Sequence, residues 1–300
     1  MESQVLLGDC LDVMEEIPDG SVDMILCDLP YGTTNCRWDV IVPFEPLWQH
    51  YKRVIKENGA IVLTASQPFT SVLVTSNLKD YRYNWVWEKS KATGYLNSKR
   101  MPMKAHEDVC VFYRKLPTYN PQMVEGTPYD KGKAHRPTSV YGDQGQKRNT
   151  RRRKDLLVLA ETELHALLEK NSLSVTGTKE EQVERYISLL NPIEVHVKNT
   201  TGLRYPRTVQ YFKTAESEGK VLHPTQKPIS LFEYLIRTYT NQDEVVLDNC
   251  AGVGTAALAA LNSNRKYICI EKDEAYYNIM NERISERIEN DFTIPHVARK

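Results

Sequence analysis

The chain of 300 residues contains no apolar run near the roughly 18 residues that a membrane-spanning helix needs, so no such span is expected. Its opening, Met-Glu-Ser-Gln, lacks the basic and apolar regions of a secretory signal. None of the six cysteines (Cys10, Cys27, Cys36, Cys110, Cys250, Cys269) pairs as C-x-x-C, which argues against a zinc site or a disulfide framework. They read as reduced thiols of a cytoplasmic protein. The seven histidines are scattered, so no metal is expected. There is no long-period repeat and no low-complexity tract. Neither charge sign is in excess, with Lys+Arg and Asp+Glu at 39 each, so net charge by itself does not point to nucleic acid.

What is present is an ordinary globular composition, 41% hydrophobic and 26% charged, in a chain long enough for one or two domains. The charge is unevenly placed. Lys131, Lys133, Arg136, Lys147, Arg148, Arg151, Arg152, Arg153 and Lys154 face only Asp143 in the same stretch. Such a stripe suits phosphate contacts, and it equally suits a solvated charge run.

The two ends of the chain alternate between strand and helix patterns. Residues 21–27, 60–64, 83–87 and 108–113 read as strands, and 48–56 and 68–76 as helices, the first stopped by Asn58-Gly59. Near the C-terminus, residues 229–240, 255–261 and 273–288 read as helices and 244–247 and 267–270 as strands. This rhythm predicts an α/β, doubly wound, mostly parallel sheet covered on both faces. Residues 116–220 differ. Pro, Gly, Thr, Tyr and basic residues dominate, and only 155–190 keeps a helical period. The expected domains are therefore 1–115, 116–220 with a small helical-hairpin insertion at 155–190, and 221–300.

Two strand ends carry candidate chemistry. Val245-Val246-Leu247 feeds Asp248-Asn249-Cys250-Ala251-Gly252-Val253-Gly254-Thr255. The glycines allow backbone amides to approach a ligand at a helix N-terminus. Gly252-x-Gly254-x-x-Ala257 followed by Glu271, placed for ribose hydroxyls, also fits the loose dinucleotide fingerprint. A nicotinamide oxidoreductase is thus one open reading, and a plain strand–helix turn another. Asp248 favours a ligand with a cationic amine over a pyrophosphate, because like charges repel.

The other end is Asp28-Leu29-Pro30-Tyr31-Gly32, at the close of residues 21–27. An exocyclic amine needs two hydrogen-bond acceptors, which the Asp28 carboxylate and the Leu29 carbonyl can supply. Pro30 stiffens the turn, and Tyr31 can stack on a base at about 1–3 kcal/mol. Taken alone, the tetrapeptide is an ordinary Asp-Pro turn.

The acid-Leu-Pro-Tyr turn before, and the glycine loop after, a basic middle region resembles β-class S-adenosylmethionine-dependent DNA amino-methyltransferases of the phage or prophage type. The resemblance covers residues 5–115 and 204–288. It implies a seven-stranded methyltransferase-type sheet and methyl transfer to the exocyclic amine of a flipped base in double-stranded DNA. Asp28 inclines the target toward adenine N6, with cytosine N4 as the alternative. It also implies catalytic roles for Asp28, Leu29, Pro30 and Tyr31. Cofactor contacts would come from Asp9, Asp28, Thr225, Lys227, Asp248, Cys250, Gly252, Gly254, Thr255 and Glu271. Thr225 and Lys227 belong to His223-Pro-Thr-Gln-Lys-Pro228, which resembles the family's methionine-holding segment, and Asp9 falls near the family's adenine position. Leu29 stands where the family has proline. Glutamine and ribosomal-RNA methyltransferases share a similar turn but in the opposite motif order.

The island at 155–190 resembles a SAP motif, a two-helix DNA-binding hairpin. Leu164, Leu167 and Leu168 share one face, Thr178 and Glu181 form a capping box, and Val183, Ile187 and Leu190 share a second face. Ala160 and Gln182 depart from the SAP pattern, and an amphipathic insertion that packs on the body or a second subunit is the competing reading. DNA contacts are expected from Arg136, Lys147, Arg148, Arg151, Arg152, Arg153, Lys154, Lys179, Arg204 and Arg207. A homodimer and a companion restriction endonuclease stay open, as does an inactive DNA-binding homologue.

Overall fold

The computed structural model describes residues 2–34, 36, 39–133, 156–170, 173–190 and 196–293. The described chain divides into two compact units, Met1–Met123 with Tyr205–Lys300, and Val124–Arg204. Among the described residues, no helix is long and apolar enough to cross a membrane.

The strands, in chain order, are β1 (Gln4–Leu7), β2 (Val22–Cys27), β3 (Ile55–Ala65), β4 (Tyr81–Thr93), β5 (Lys104–Phe112), β6 (Tyr129–Lys133), β7 (His196–Asn199), β8 (Val209–Phe212), β9 (Val245–Asp248) and β10 (Lys266–Glu271). Eight of them form one sheet in the order β1-β10-β9-β2-β3-β5-β4-β8. Neighbours pair in parallel except at β5, which runs against both β3 and β4. The mostly parallel sheet matches expectation. It has an eighth strand, because β8 extends the β4 edge.

Both faces of this sheet are buried, and its side chains show the strand period of two. Met24 and Leu26 of β2 join one core cluster, while Ile25 and Cys27 join the other. β3 splits in the same way, with Ala60 and Val62 against Ile61 and Leu63. The first cluster is covered by helix Ile229–Tyr239, whose Leu231, Phe232, Leu235, Ile236 and Tyr239 lie on one face. The second is covered by helix Phe44–Val54 through Leu47, Trp48, Tyr51 and Val54. The chain is thus doubly wound.

Helix Phe44–Val54 starts four residues earlier than the periodicity predicts. Pro46 lies in its first turn, where a missing N–H costs no helical bond. The helix also stops earlier, at Val54, so Asn58-Gly59 is not its stop signal. Instead these residues lie within β3, where the pairing jumps from Val22↔Ile55 to Met24↔Ala60. At Gly59 a Cβ atom would sit 2.7 Å from the Asp23 carbonyl oxygen. The glycine is there for close backbone approach at an irregular pairing.

In the smaller unit β6 and β7 pair antiparallel, and helices Glu161–Lys170 and Lys179–Leu190 contribute Leu164, Leu168 and Val183 to a small buried cluster. Thr178 and Glu181 form a reciprocal cap, Thr178 N–H donating to Glu181 Oε2 at 2.8 Å and Glu181 N–H to Thr178 Oγ1 at 3.3 Å. Gln182 is buried, and its amide donates to the Val175 and Gly177 carbonyls, so a polar side chain ties the inter-helix loop at a position that departs from the SAP pattern. The side chains of Ile187 and Leu190 lie outside those described.

Gly59→Ala should lower the urea midpoint by an amount equivalent to about 1–3 kcal/mol, as overpacking does. Asn58→Ala should change it little. Equal, small effects of both would return Gly59 to the role of a simple turn residue.

Candidate active site

Parallel sheets bind ligands beyond strand C-termini, where neighbouring strands lead off in opposite directions. β2 and β9 are such a pair. From β2 the chain crosses through helix Phe44–Val54 to β3 on one side, and from β9 through helix Thr255–Asn262 to β10 on the other. Their C-terminal loops open into one cavity of about 730 Å³. Every expected catalytic and cofactor residue lines it except Gly254, whose neighbours Val253 and Thr255 do.

On the β9 side, Gly252 (φ 51°) and Gly254 (φ 80°) adopt left-handed conformations. A Cβ at Gly254 would also lie 2.6 Å from Met280, so this glycine seats the turn on the C-terminal helix. Glu271, at the end of β10, closes the turn by accepting the Gly252 N–H at 2.7 Å and the Asp273 N–H at 2.9 Å. Asp248 is 3% exposed, and burial pushes its carboxyl up to about 7. The Cys250 N–H donates to it at 3.1 Å. Burial likewise pushes the Cys27 thiol up to about 12, which leaves it protonated at neutral pH. Asp9 caps the short helix Cys10–Val13 by accepting the Leu11 N–H at 3.0 Å. Thr225 faces His223, its hydroxyl 3.2 Å from Nδ1, and burial lowers the His223 pKa.

On the β2 side, Asp28 is the hub. Its Oδ1 accepts from the Tyr31 hydroxyl at 2.8 Å and from the Thr64 hydroxyl of β3. Its Oδ2 accepts from Lys227 Nζ at 2.7 Å. Burial, with the negative charges of Asp28 and Glu107, holds the Tyr31 phenol well above its ordinary pKa, so it stays a donor. The Tyr31 ring stacks on Phe69, with centroids 5.0 Å apart. Lys227, expected at the cofactor, lines the cavity, and its ammonium bridges Asp28 and Glu107 of β5. Burial alone would lower its pKa, but the two carboxylates outweigh burial and raise it.

The match to the DNA methylase family of N6/N4 type covers residues 22–282. The chain belongs to this DNA methylase family. The type II methyltransferase M.HindIII of Haemophilus influenzae is 42% identical over 76 residues, 25% of this chain and 25% of that protein. The chain therefore aligns with a quarter of that relative's length. The type II methyltransferase M.HinfI of Haemophilus influenzae is 24% identical over 310 residues, covering 94% of this chain and 68% of that protein. Among solved structures, the M1.HpyAVI–SAM complex superposes with a TM-score of 0.54 at 18% identity, covering 94% of this chain and 98% of that one. That likeness shows the fold.

In this chain Leu29 replaces the first proline of the expected turn, and it is 3% exposed, within the core under helix Phe44–Val54. Core packing thus holds the turn where ring rigidity is missing. Sequence reading missed three groups. Thr64 and Glu107 reach the site from β3 and β5, and no motif marks them. Asp39 accepts the N–H groups of Gly32, Thr33 and Thr34 at 2.8, 2.9 and 2.6 Å and so shapes the loop after Tyr31. A lone acid beyond a Gly-Thr-Thr turn was the only available signal.

Of the expected DNA contacts, Arg136, Lys147, Arg148, Arg151, Arg152, Arg153 and Lys154 lie outside the described residues. Lys179 donates to the Leu159 carbonyl at 2.6 Å. Arg204 pairs its backbone with Val124, and its side chain lies over Gly126. Arg207 is exposed just before β8.

Burial works to raise the Asp39 pKa, but the Thr34 side chain and the amides of Gly32, Thr34 and Thr33 outweigh it and hold the carboxyl below its ordinary 3.8. The stability it contributes is therefore present above about 3.8 and lost as pH falls through the depressed value. Asp39→Asn should cost about 1–3 kcal/mol at neutral pH in urea unfolding, with the difference from wild type shrinking under acid. A difference that grows on acidification would contradict this role.

Proposed function

We propose that the protein transfers a methyl group from S-adenosylmethionine to the exocyclic amine of a base flipped out of double-stranded DNA, adenine N6 in preference to cytosine N4. One observation carries the reading. A buried carboxylate suited to an ammonium (Asp248) and a tethered carboxylate suited to an amine (Asp28) line the same cavity from adjoining strand ends. The donor set suits the cofactor: Asp248 wants a cation, the glycine turn leaves room for a ligand, and Glu271 keeps acceptor capacity for hydroxyls. Nicotinamide chemistry would leave Asp28, Tyr31 and Thr64 without a role.

S-adenosylmethionine supplies, when bound, a sulfonium methyl whose bond to sulfur breaks as the amine lone pair forms the new carbon–nitrogen bond. The protein supplies placement and electrostatics. Asp28 and the Leu29 carbonyl orient the amine hydrogens, and Asp28 takes the proton that the methylated nitrogen sheds. The Tyr31 and Thr64 hydroxyls fix the carboxylate. No cysteine acts as nucleophile. Base extrusion costs a few kcal/mol, which contacts elsewhere must offset.

The region between the catalytic half and the cofactor-binding half, 116–220, is assigned to target recognition, and the helical hairpin at 155–190 to a SAP-like element. The Thr178–Glu181 cap and the Leu164–Leu168–Val183 cluster support that hairpin. The basic stripe at 131–154, with Lys179, Arg204 and Arg207, supports phosphate contacts. A companion restriction endonuclease accords with the type II naming of the relatives. A phage or prophage type is carried by the sequence resemblance alone, a cytoplasmic location by the unpaired cysteines, and a homodimer by the competing reading of the helical insertion.

The deciding experiment incubates the full chain with labelled S-adenosylmethionine and unmethylated DNA, then identifies the modified nucleoside. N6-methyladenine is expected, and N4-methylcytosine would move the target. Asp28→Ala should abolish transfer while cofactor affinity stays within about threefold, since the residue acts in the chemical step. Glu107 remains to pair Lys227 in that variant. Absence of transfer by the wild-type protein would overturn the reading.

Cofactor affinity should depend on pH through Asp248. A carboxyl pushed up to about 7 is protonated below that pH and cannot pair with an ammonium. Without cofactor, its ionisation as pH rises through about 7 costs stability, the reverse of an ordinary paired carboxylate. Calorimetry should show affinity falling up to about tenfold per pH unit on the acid side. Asp248→Asn should flatten that limb, and a flat wild-type profile would remove Asp248 from the cofactor site.

A further inference from the structure

The acceptor assigned to the amine already has partners. Both oxygens of Asp28 are engaged, Oδ1 by two hydroxyls and Oδ2 by the Lys227 ammonium at 2.7 Å. Both partners of that bond are charged, whereas a neutral amine in its place would bring no charge of its own. The Lys227 charge also lies 5.4 Å from the centre of the Tyr31 ring, beside the site where, on the proposed reading, a sulfonium binds and a nitrogen becomes cationic. Positive charges crowded into a buried site repel strongly. Yet Lys227 is only 6% exposed, and it cannot leave for water cheaply.

A second acceptor stands ready. Glu107 Oε2 is buried, has no hydrogen-bond partner among the described residues, and lies 3.4 Å from the same Nζ, an ion pair without hydrogen-bond geometry. A buried carboxylate oxygen left this way is uncommon and costly. The other oxygen, Oε1, is fixed by Lys89 of β4, whose side chain is 9% exposed. Trp87 pairs with Glu107 across β4 and β5, so Lys89, two residues on, shares its face. The carboxylate is held with Oε2 toward Lys227. A shift of about half an ångström would bring that oxygen to the 2.7–2.9 Å of a charge-assisted bond.

We propose that Glu107 is a positioning residue that draws Lys227 off Asp28 Oδ2 when the substrate amine arrives, freeing the acceptor and moving a buried positive charge away from the reacting nitrogen. The inference rests on the methyl-transfer reading. Lys227 is then a cation with two positions, on Asp28 in the free protein and on Glu107 in the substrate complex. It stays paired in both. The alternative is a static brace, in which Lys89, Glu107, Lys227 and Asp28 only hold their strands and loops together.

The two differ in the sign of an interaction between substitutions. In Glu107→Gln the neutral amide cannot draw the lysine, which stays on Asp28. Single-turnover methyl transfer by the full chain, with saturating cofactor and unmethylated DNA, should slow by about 30- to 100-fold, while affinity for S-adenosylmethionine stays within about threefold. Adding Lys227→Met removes the trapped cation, so Glu107→Gln/Lys227→Met should be faster than Glu107→Gln alone, by about tenfold. A static brace gives a double variant no faster than the single one. A rate for Glu107→Gln within about threefold of wild type, or a double variant without recovery, overturns the inference and leaves the methyltransferase reading intact. No transfer by the wild-type protein overturns both. Should the variants fail to fold, a structure of the wild-type protein with a target base in the cavity decides. Lys227 Nζ within hydrogen-bond distance of Glu107 Oε2 and released from Asp28 supports the proposal, and Lys227 still seated on Asp28 Oδ2 overturns it.

Discussion

Strand β2 carries a carboxylate near its start and another just past its end, and these two groups join the parts of the site. Asp23 accepts the Val245 N–H of β9 at 3.0 Å, from 222 residues away along the chain, and pairs with Lys56 of β3 at 2.6 Å. Asp28 gathers Thr64 of β3 and Lys227, the latter 199 residues away. Closing such long loops costs entropy that rises only slowly with length, and the buried faces of the sheet offset it. Once β2 and β9 pair in parallel, their following loops must emerge side by side. The position of the cavity is a consequence of that one pairing.

The electrostatics then divide the cavity. Lys89, Glu107, Lys227 and Asp28 alternate in sign along one connected chain, so no member of it is a buried ion facing only apolar surroundings. Burial works to raise the Glu107 pKa, but Lys227 and Lys89 outweigh it and keep the carboxyl below the ordinary glutamate value. Asp248 has no cation paired with it among the described residues, and its pKa moves the other way. Two aspartates at adjoining strand ends thus differ in kind. One has its oxygens held by a lysine and two hydroxyls, and the other has no ammonium beside it among the described residues. That separation suits a reaction in which a cation and a neutral amine must meet without exchanging places.

Features written locally in the chain were legible. The Asp28 turn and the Gly252–Gly254 loop follow apolar runs and break them with residues of fixed backbone habit. The helices at 229–239 and 255–262 also announce themselves through period and flanks. What escaped was set by neighbours in space. Gly59 reads as a helix stop until Asp23 is seen across the strand pair. Val209–Phe212 is too short and too weakly patterned to be taken for an edge strand, and β4 gives it its place. Glu107 sits in a strand among alternating residues, and only the pairing of β4 with β5 sets it facing Lys89 and the cavity. Asp39 acts through a loop whose shape it creates itself.

Lys227 shows why motif adjacency misleads in one respect and informs in another. Its place in His223-Pro-Thr-Gln-Lys-Pro228, just before the glycine loop in the chain, assigns it to the cofactor half. Its backbone lies beside the glycine turn, since the Lys227 carbonyl lies 3.5 Å from the hydroxyl of Thr255, the first residue of the helix that follows that turn. Its side chain crosses to the other half and ends on Asp28. One residue therefore touches both half-sites, through its main chain on one side and its ammonium on the other. A displacement at either end is felt at the other through four methylenes. A coupling of this kind requires the two loops to be placed independently, by β2 and β9, and then bridged by a third segment that belongs to neither strand.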